Sequence, residues 1–142
     1  MSPAAGAKDG STSYLPTIAE FEVLDIDPER FDHTAHLYVA WQYLRINELL
    51  TAIDRYRSTL RRLVLKLGVP GKYHETITWF FMVAVAERMN GAERDDWDAF
   101  QAANPDLFKP GGAFLKSFYS QDRLGSVEAR NQFLLPVPGE AC

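Results

Sequence analysis

The run ITWFFMVAVA, residues 77–86, decides the fold, because it is apolar on every side. It has about half of the ~20 residues that a membrane-spanning helix needs. The pattern therefore predicts a buried helix and no membrane partner. Signals on both sides place that helix at about residues 73–90, with Asn90 and Gly91 as a C-terminal cap. A helix that is apolar all round normally lies at the centre of a helical bundle.

The helix before this run has a single apolar stripe. Within residues 48–67, apolar side chains recur every three or four positions, at Leu49, Ile53, Tyr56, Leu60, Leu63 and Leu67. The segment GVPGK, residues 68–72, ends this helix with two glycines and a proline. Such a stripe is buried either inside the bundle or in a homodimer, and the sequence leaves both open.

The remaining segments complete an all-α prediction. An earlier helix through LYVAWQYLR begins either at the cap Asp27, with Pro28 next, or at the cap Asp32. Three short helices are expected in DDWDAFQAANPDLF, GGAFLKSFYS and QDRLGSVEARNQFLL. Residues 1–13 read as a flexible leader, and 14–27 as a short strand or an extended arm. We predict a compact bundle of about five or six helices in one domain, residues 14–142, with an extended N-terminal arm.

Composition limits the function. The chain has 142 residues and a net charge of −4, and nucleic-acid-binding domains usually carry a basic excess instead. Its one cysteine, Cys142, allows neither a disulfide framework nor a zinc–thiolate site. The first residues, MSPAAGAKDGSTS, lack the apolar core of a signal peptide. A cytoplasmic protein that acts on a small molecule is the expectation.

All three histidines lie in two short motifs, FDHTAH at residues 31–36 and KYHET at residues 72–76. His33 and His36 are three apart, which places them on one side of a helix. His74 stands where the central helix begins. Three imidazoles with an open fourth position suit iron, zinc or copper. The pattern predicts a divalent transition metal held by His33, His36 and His74, between the first and third of the long helices.

Other side chains are candidates for the chemistry around that metal. Glu75 is a predicted general base or a hydrogen-bond partner of the ligands, while Tyr73 and Lys72 supply donors. Further predictions assign substrate binding to Arg88 and Arg130, as anchors for an anionic group, and to the aromatic Trp41. The function indicated is a metal-dependent hydrolase, lyase or oxidoreductase of a small organic substrate.

Two alternatives stay open, because HTAH is not the HExxH spacing of zinc proteases. In the first, His and Glu side chains perform acid–base chemistry without metal, as in a lyase, cyclase or isomerase. In the second, the protein binds a ligand or a partner and catalyses nothing, and the histidines belong to the core.

The chain from about residue 30 to 136 resembles a family of small uncharacterised bacterial proteins. The resemblance is carried by FDHTAHLYVAWQYL, GKYHETITWFFMVAVAERM, DDWDAFQAANPDLF and the FYS…AR…F segment. It implies that His33, His36, His74 and Glu75 are the residues to test. It implies no particular reaction.

Overall fold

The computed structural model describes residues 13–139, and that range contains eight α-helices and no strand. The all-α prediction is confirmed. The helices are α1 (Ile18–Glu22), α2 (His33–Ile46), α3 (Leu49–Lys66), α4 (Glu75–Glu87), α5 (Trp97–Ala103), α6 (Ala113–Lys116), α7 (Gln121–Leu124) and α8 (Val127–Asn131). Short 3₁₀ turns occupy Pro70–Lys72, Gly91–Arg94, Pro105–Phe108 and Pro110–Gly112.

The three long helices α2, α3 and α4 pack against one another and form the heart of the bundle. Each contributes to one core; Tyr43 of α2, Ile53 of α3 and Met82 of α4 are almost completely buried. As the stripe predicts, α3 turns Ile53, Tyr56, Leu60 and Leu63 inward. No helix within residues 13–139 is long and apolar enough to cross a membrane.

Side-chain caps fix where these helices begin. Of the two predicted starts for α2, Asp32 is the cap, and its carboxylate accepts a hydrogen bond from the Ala35 N–H at 2.9 Å. Asp27 instead accepts from the Glu29 N–H in the preceding turn. This start places both FDHTAH histidines in the first turn of α2.

The N-terminal arm differs from the prediction, because part of it is the helix α1. Thr17 and Glu20 form a capping box, in which each side chain accepts a hydrogen bond from the other residue's main-chain N–H. Phe21 on α1 is fully buried against the core. The alternation of apolar and acidic residues within residues 14–27 therefore does not correspond to a strand. The predicted flexible leader lies, except for residue 13, outside the described residues.

Two further boundaries also differ. The central helix α4 ends at Glu87 rather than at Asn90, and Gly91, with φ of 56°, begins a 3₁₀ turn. The last predicted helix is divided at Gly125 and Ser126 into α7 and α8, because the Ser126 hydroxyl caps a new helix. These short helices raise the count above the five or six expected.

Candidate functional site

A cavity of about 540 Å³ lies between α2, α3 and α4. Three of its lining residues, Pro28, Leu67 and Lys72, are exposed and mark its mouth. Ala40 and Met82 also line it but are buried, so they mark its closed end. The walls are mainly apolar. The polar groups among the lining residues are His33, His36, Tyr56, Lys72, Tyr73, His74 and Thr78.

His36 lines the cavity and has a nitrogen without a hydrogen-bond partner among residues 13–139. Its Nδ1 lies 3.2 Å from the hydroxyl of Tyr56, and Phe31 stacks on the ring at 4.0 Å. Burial, assisted by nearby His33 and opposed by Asp32, lowers the pKa of His36 to about 4. Nε2 makes no hydrogen bond to any residue from 13 to 139. At pH 7 the cavity therefore contains a neutral imidazole with one nitrogen available.

His74 is fully engaged in holding the structure together. A carbonyl oxygen can only accept, so Nε2 carries the proton and donates it to the Leu124 carbonyl at 2.7 Å. Nδ1 accepts from the Ile77 N–H at 3.2 Å, which makes His74 the N-terminal cap of α4. Both nitrogens are occupied, and the side chain joins the start of α4 to the end of α7.

His33 is intermediate between these two. Its Nε2 donates to the Leu107 carbonyl at 2.8 Å, and its ring contacts the edge of Phe81. Nδ1 is left as an acceptor, with no hydrogen-bond partner in the part of the chain that the structure describes. The contact with Leu107 links the first turn of α2 to the 3₁₀ turn Pro105–Phe108.

The structure brings the three histidines to one cavity but does not assemble them into a ligand set. Within residues 13–139, no three His, Cys, Asp or Glu side chains are arranged to hold a metal ion. The physical reason is that Nε2 of His33 and Nε2 of His74 each donate to a main-chain carbonyl. Nδ1 of His74 also accepts the hydrogen bond that caps α4, so neither of its nitrogens is available to a metal. The spacing placed the residues on the right faces but carried no information on these main-chain partners.

Glu75, a predicted general base, does not line the cavity. Its carboxylate accepts hydrogen bonds from the Tyr73 hydroxyl at 2.6 Å and the Trp79 indole at 2.9 Å, and pairs with Arg57 at 3.1 Å. Burial raises the pKa of Glu75, but these three donors outweigh it and leave the pKa below its usual value. A carboxylate so fully partnered stabilises the fold and is a poor proton acceptor.

Tyr73 and Lys72, the two other predicted catalytic residues, do line the cavity. Burial, with a contribution from the hydrogen bond to Glu75, raises the pKa of Tyr73 to about 12. Tyr73 therefore keeps its hydroxyl proton at pH 7 and donates it in the hydrogen bond to Glu75. Lys72 lies at the mouth, at the end of the 3₁₀ turn Pro70–Lys72.

The three predicted substrate-binding residues lie elsewhere. Arg88 forms a two-point ion pair with Asp106, at 2.7 and 3.0 Å. Trp41 is a core residue whose indole N–H donates to the Glu93 carbonyl at 3.0 Å. Arg130 donates to the Gly71 carbonyl at 2.8 Å, close to the mouth although it does not line the cavity.

Two residues have contacts that the sequence did not reveal. Tyr56 was read only as part of the α3 stripe, although its hydroxyl meets His36. Thr76 is fully buried, donates to the carbonyls of Ala129 and Gln132, and accepts from the Leu134 N–H. A tyrosine in an otherwise aliphatic stripe is a usable signal, because a buried hydroxyl needs a partner. Thr76, in the KYHET motif, is a predicted donor near His74, but no sequence signal indicated these main-chain partners.

No family model matches this chain, and neither a curated protein nor a solved structure matches it. The resemblance drawn from its motifs is thus unsupported by these comparisons, and the geometry of the cavity is what any functional proposal has to rest on.

Proposed function

We propose that the protein binds a small, largely apolar molecule in the cavity between α2, α3 and α4, with His36 as its hydrogen-bonding partner. The observation that carries the proposal is the cavity itself, about 540 Å³ with a mainly apolar lining. Ligand sites typically measure ~300–1,000 Å³ and combine apolar walls with a few polar groups. This cavity has both properties.

His36 supports binding more strongly than it supports catalysis. A general base works best when its pKa lies near the working pH, and a pKa of about 4 makes His36 a weak one. As a neutral ring it is well suited to a hydrogen bond. If the Tyr56 hydroxyl donates to Nδ1, Nε2 carries a proton and donates to the ligand; in the other tautomer Nε2 accepts.

The metal-dependent enzyme predicted from the sequence is the weaker proposal. It would depend on Nε2 of His36 and Nδ1 of His33, since His74 has no nitrogen to spare. Metal analysis of protein purified without a histidine tag tests it. Close to one equivalent of iron, zinc or copper, lost in His36→Ala but retained in His74→Gln, would favour the metal site over simple ligand binding.

Phenylalanine substitutions at two alanines test ligand binding directly. Ala40 lines the closed end of the cavity, whereas Ala52 is equally buried but does not line it. The probe is octanol, a small apolar molecule with one hydroxyl group. Ala40→Phe places its ring in existing space, so we expect unchanged or greater stability and loss of octanol binding. Ala52→Phe overfills a packed site and costs ~1–3 kcal/mol of unfolding free energy. Titration calorimetry measures binding, and urea unfolding measures stability.

The proposal fails if the unmodified protein does not bind octanol. It also fails if Ala40→Phe binds octanol as well as the unmodified protein does, because the molecule would then lie outside the cavity. Equal destabilisation by the two variants would show that the space is closed in solution.

A further inference from the structure

Three cations lie in or beside the segment 71–73, at the mouth of the cavity. Lys72 itself lines the mouth. The Arg61 guanidinium lies 5.6 Å from the centre of the Tyr73 ring, and Arg130 donates to the Gly71 carbonyl at 2.8 Å. All three residues are exposed. Positive charge is therefore concentrated on one side of the opening.

These cations lack a carboxylate partner, which several arginines elsewhere in the described residues have. Arg57 pairs with Glu75, Arg55 with Glu22 and Arg88 with Asp106. By contrast, none of Arg61, Lys72 and Arg130 forms an ion pair with a described residue. Although the net charge of the chain is −4, these three cations lie at or beside one apolar opening.

Pro28 also lines the mouth, and the charges around it are mixed. It lies between the exposed carboxylates of Asp27 and Glu29, and the exposed Arg30 follows them. The charged groups beside Lys72 named above are all cations. An anionic group on a ligand would therefore be attracted to the Lys72 part of the mouth.

We propose that the ligand is an apolar molecule with a carboxylate at one end, whose body fills the cavity and whose carboxylate lies at Lys72, Arg61 and Arg130. This deepens the proposed function and rests on it. The cavity supplies the apolar contacts, and the cations select the charge of the end group.

Three probes of equal chain length separate the two proposals: octanoate, octanol and octylamine, compared at pH 7 by titration calorimetry. Exposed ion pairs are individually weak, so we expect octanoate to bind about fivefold tighter than octanol, and octylamine weakest. The preference for octanoate shrinks as salt is raised, because exposed charges are screened. Equal affinities for all three overturn the carboxylate proposal and leave the apolar cavity intact. No binding of any probe overturns both.

Charge reversal locates the selective group. In the double variant Lys72→Glu with Arg61→Glu, we expect octanoate to lose its advantage over octanol and octylamine to gain one. Two exposed lysines that do not line the cavity, Lys109 and Lys116, provide the matched control when both are changed to Glu. If the control shifts the preference as much as the mouth variant does, overall charge and not the mouth selects the ligand, and the proposal is wrong. Octanol affinity and urea unfolding confirm that each variant is folded.

Discussion

Two regions of the bundle use similar side chains in different ways. In the packed region, defined here as Tyr38, Trp41, Trp97, Phe100 and Phe108, neighbouring rings lie 5.0 to 6.4 Å apart and interlock. In the cavity region, the lining residues of the 540 Å³ space, the rings of Phe31, Phe81 and Tyr56 leave room between the helices. One helix, α2, serves both regions, with Trp41 in the first and His36 in the second.

On α2, the side chain in the packed region has its hydrogen bond satisfied, whereas the one in the cavity region does not. Trp41 has its one donor satisfied by the Glu93 carbonyl. His36 keeps a nitrogen without a partner among residues 13–139, and it lies where the space is. This coincidence of an unpartnered nitrogen and an adjacent cavity supports the proposal that a ligand binds there.

The largest expected effect comes from removing one ring in each region. Phe100 is fully buried, and Phe100→Ala should lower the unfolding free energy by ~3–5 kcal/mol. Phe81 already borders empty space, so Phe81→Ala should cost about half as much, because fewer contacts are lost. Urea unfolding gives both values. Equal costs would mean that the cavity region is as tightly packed as the rest.

A pH series isolates His36. Its pKa in the folded state, about 4, is below that of an unfolded histidine near ~6.5, so the unfolded chain binds more protons between these values. Stability is therefore lost as the pH falls from ~6.5 to ~4, by an amount on the order of 3 kcal/mol. His36→Gln lacks this loss, which the difference between the two stability curves measures. An imidazole titration of His36 by NMR with a midpoint near ~6.5 would contradict the burial.

Glu75, a buried carboxylate outside the cavity, should affect the stability of the protein but not its affinity for a ligand. Breaking a buried ion pair costs ~3–5 kcal/mol, but Arg57 keeps 27% of its side chain exposed, so we expect Glu75→Gln to cost about 2 kcal/mol at pH 7. The pKa of Glu75 is lowered, so its stabilisation is present above ~4.3 and disappears as the pH falls through the folded value. Octanol affinity should not change, and a large change would return Glu75 to the site.

The smallest effects come from two matched helix caps. Asp32 caps α2 beside the cavity region, and Asp96 caps α5 in the packed region. Each change to Ala should cost about 1 kcal/mol, since one cap hydrogen bond is lost. Only Asp32→Ala should also lower the pKa of His36, because the Asp32 carboxylate raises it. An NMR titration of His36 in both variants checks this, and identical shifts would remove the electrostatic argument.

Most of the fold followed from periodicity. The α3 stripe and the all-apolar run of α4 identify two of the three helices that enclose the cavity, and the predicted ends of both lie within a few residues of the observed ones. The capping box at Thr17 was present in the sequence but was outweighed by an alternating pattern. Residue types near helix starts were therefore better evidence than alternation over a short segment.

The site was less predictable, because hydrogen bonds between distant parts of the chain decide it. The spacing of His33, His36 and His74 correctly indicated side chains near the cavity. It could not show that Leu107 and Leu124 would supply carbonyls to two of them, 74 and 50 residues away along the chain. The empty volume is likewise a property of the packed helices, and no local pattern encodes it.

The hydroxyl of Thr76 has a consequence for the order in which the chain folds. Helices α7 and α8 have four and five residues, too few to form alone in water. They are anchored by the first turn of α4, through His74 to Leu124 and through Thr76 to Ala129, Gln132 and Leu134. During synthesis α4 emerges well before residues 121–134, which can then add to a scaffold that is already formed. Because the two helices are short and depend on these contacts, their amide hydrogens should exchange with solvent sooner than those of α2 and α3.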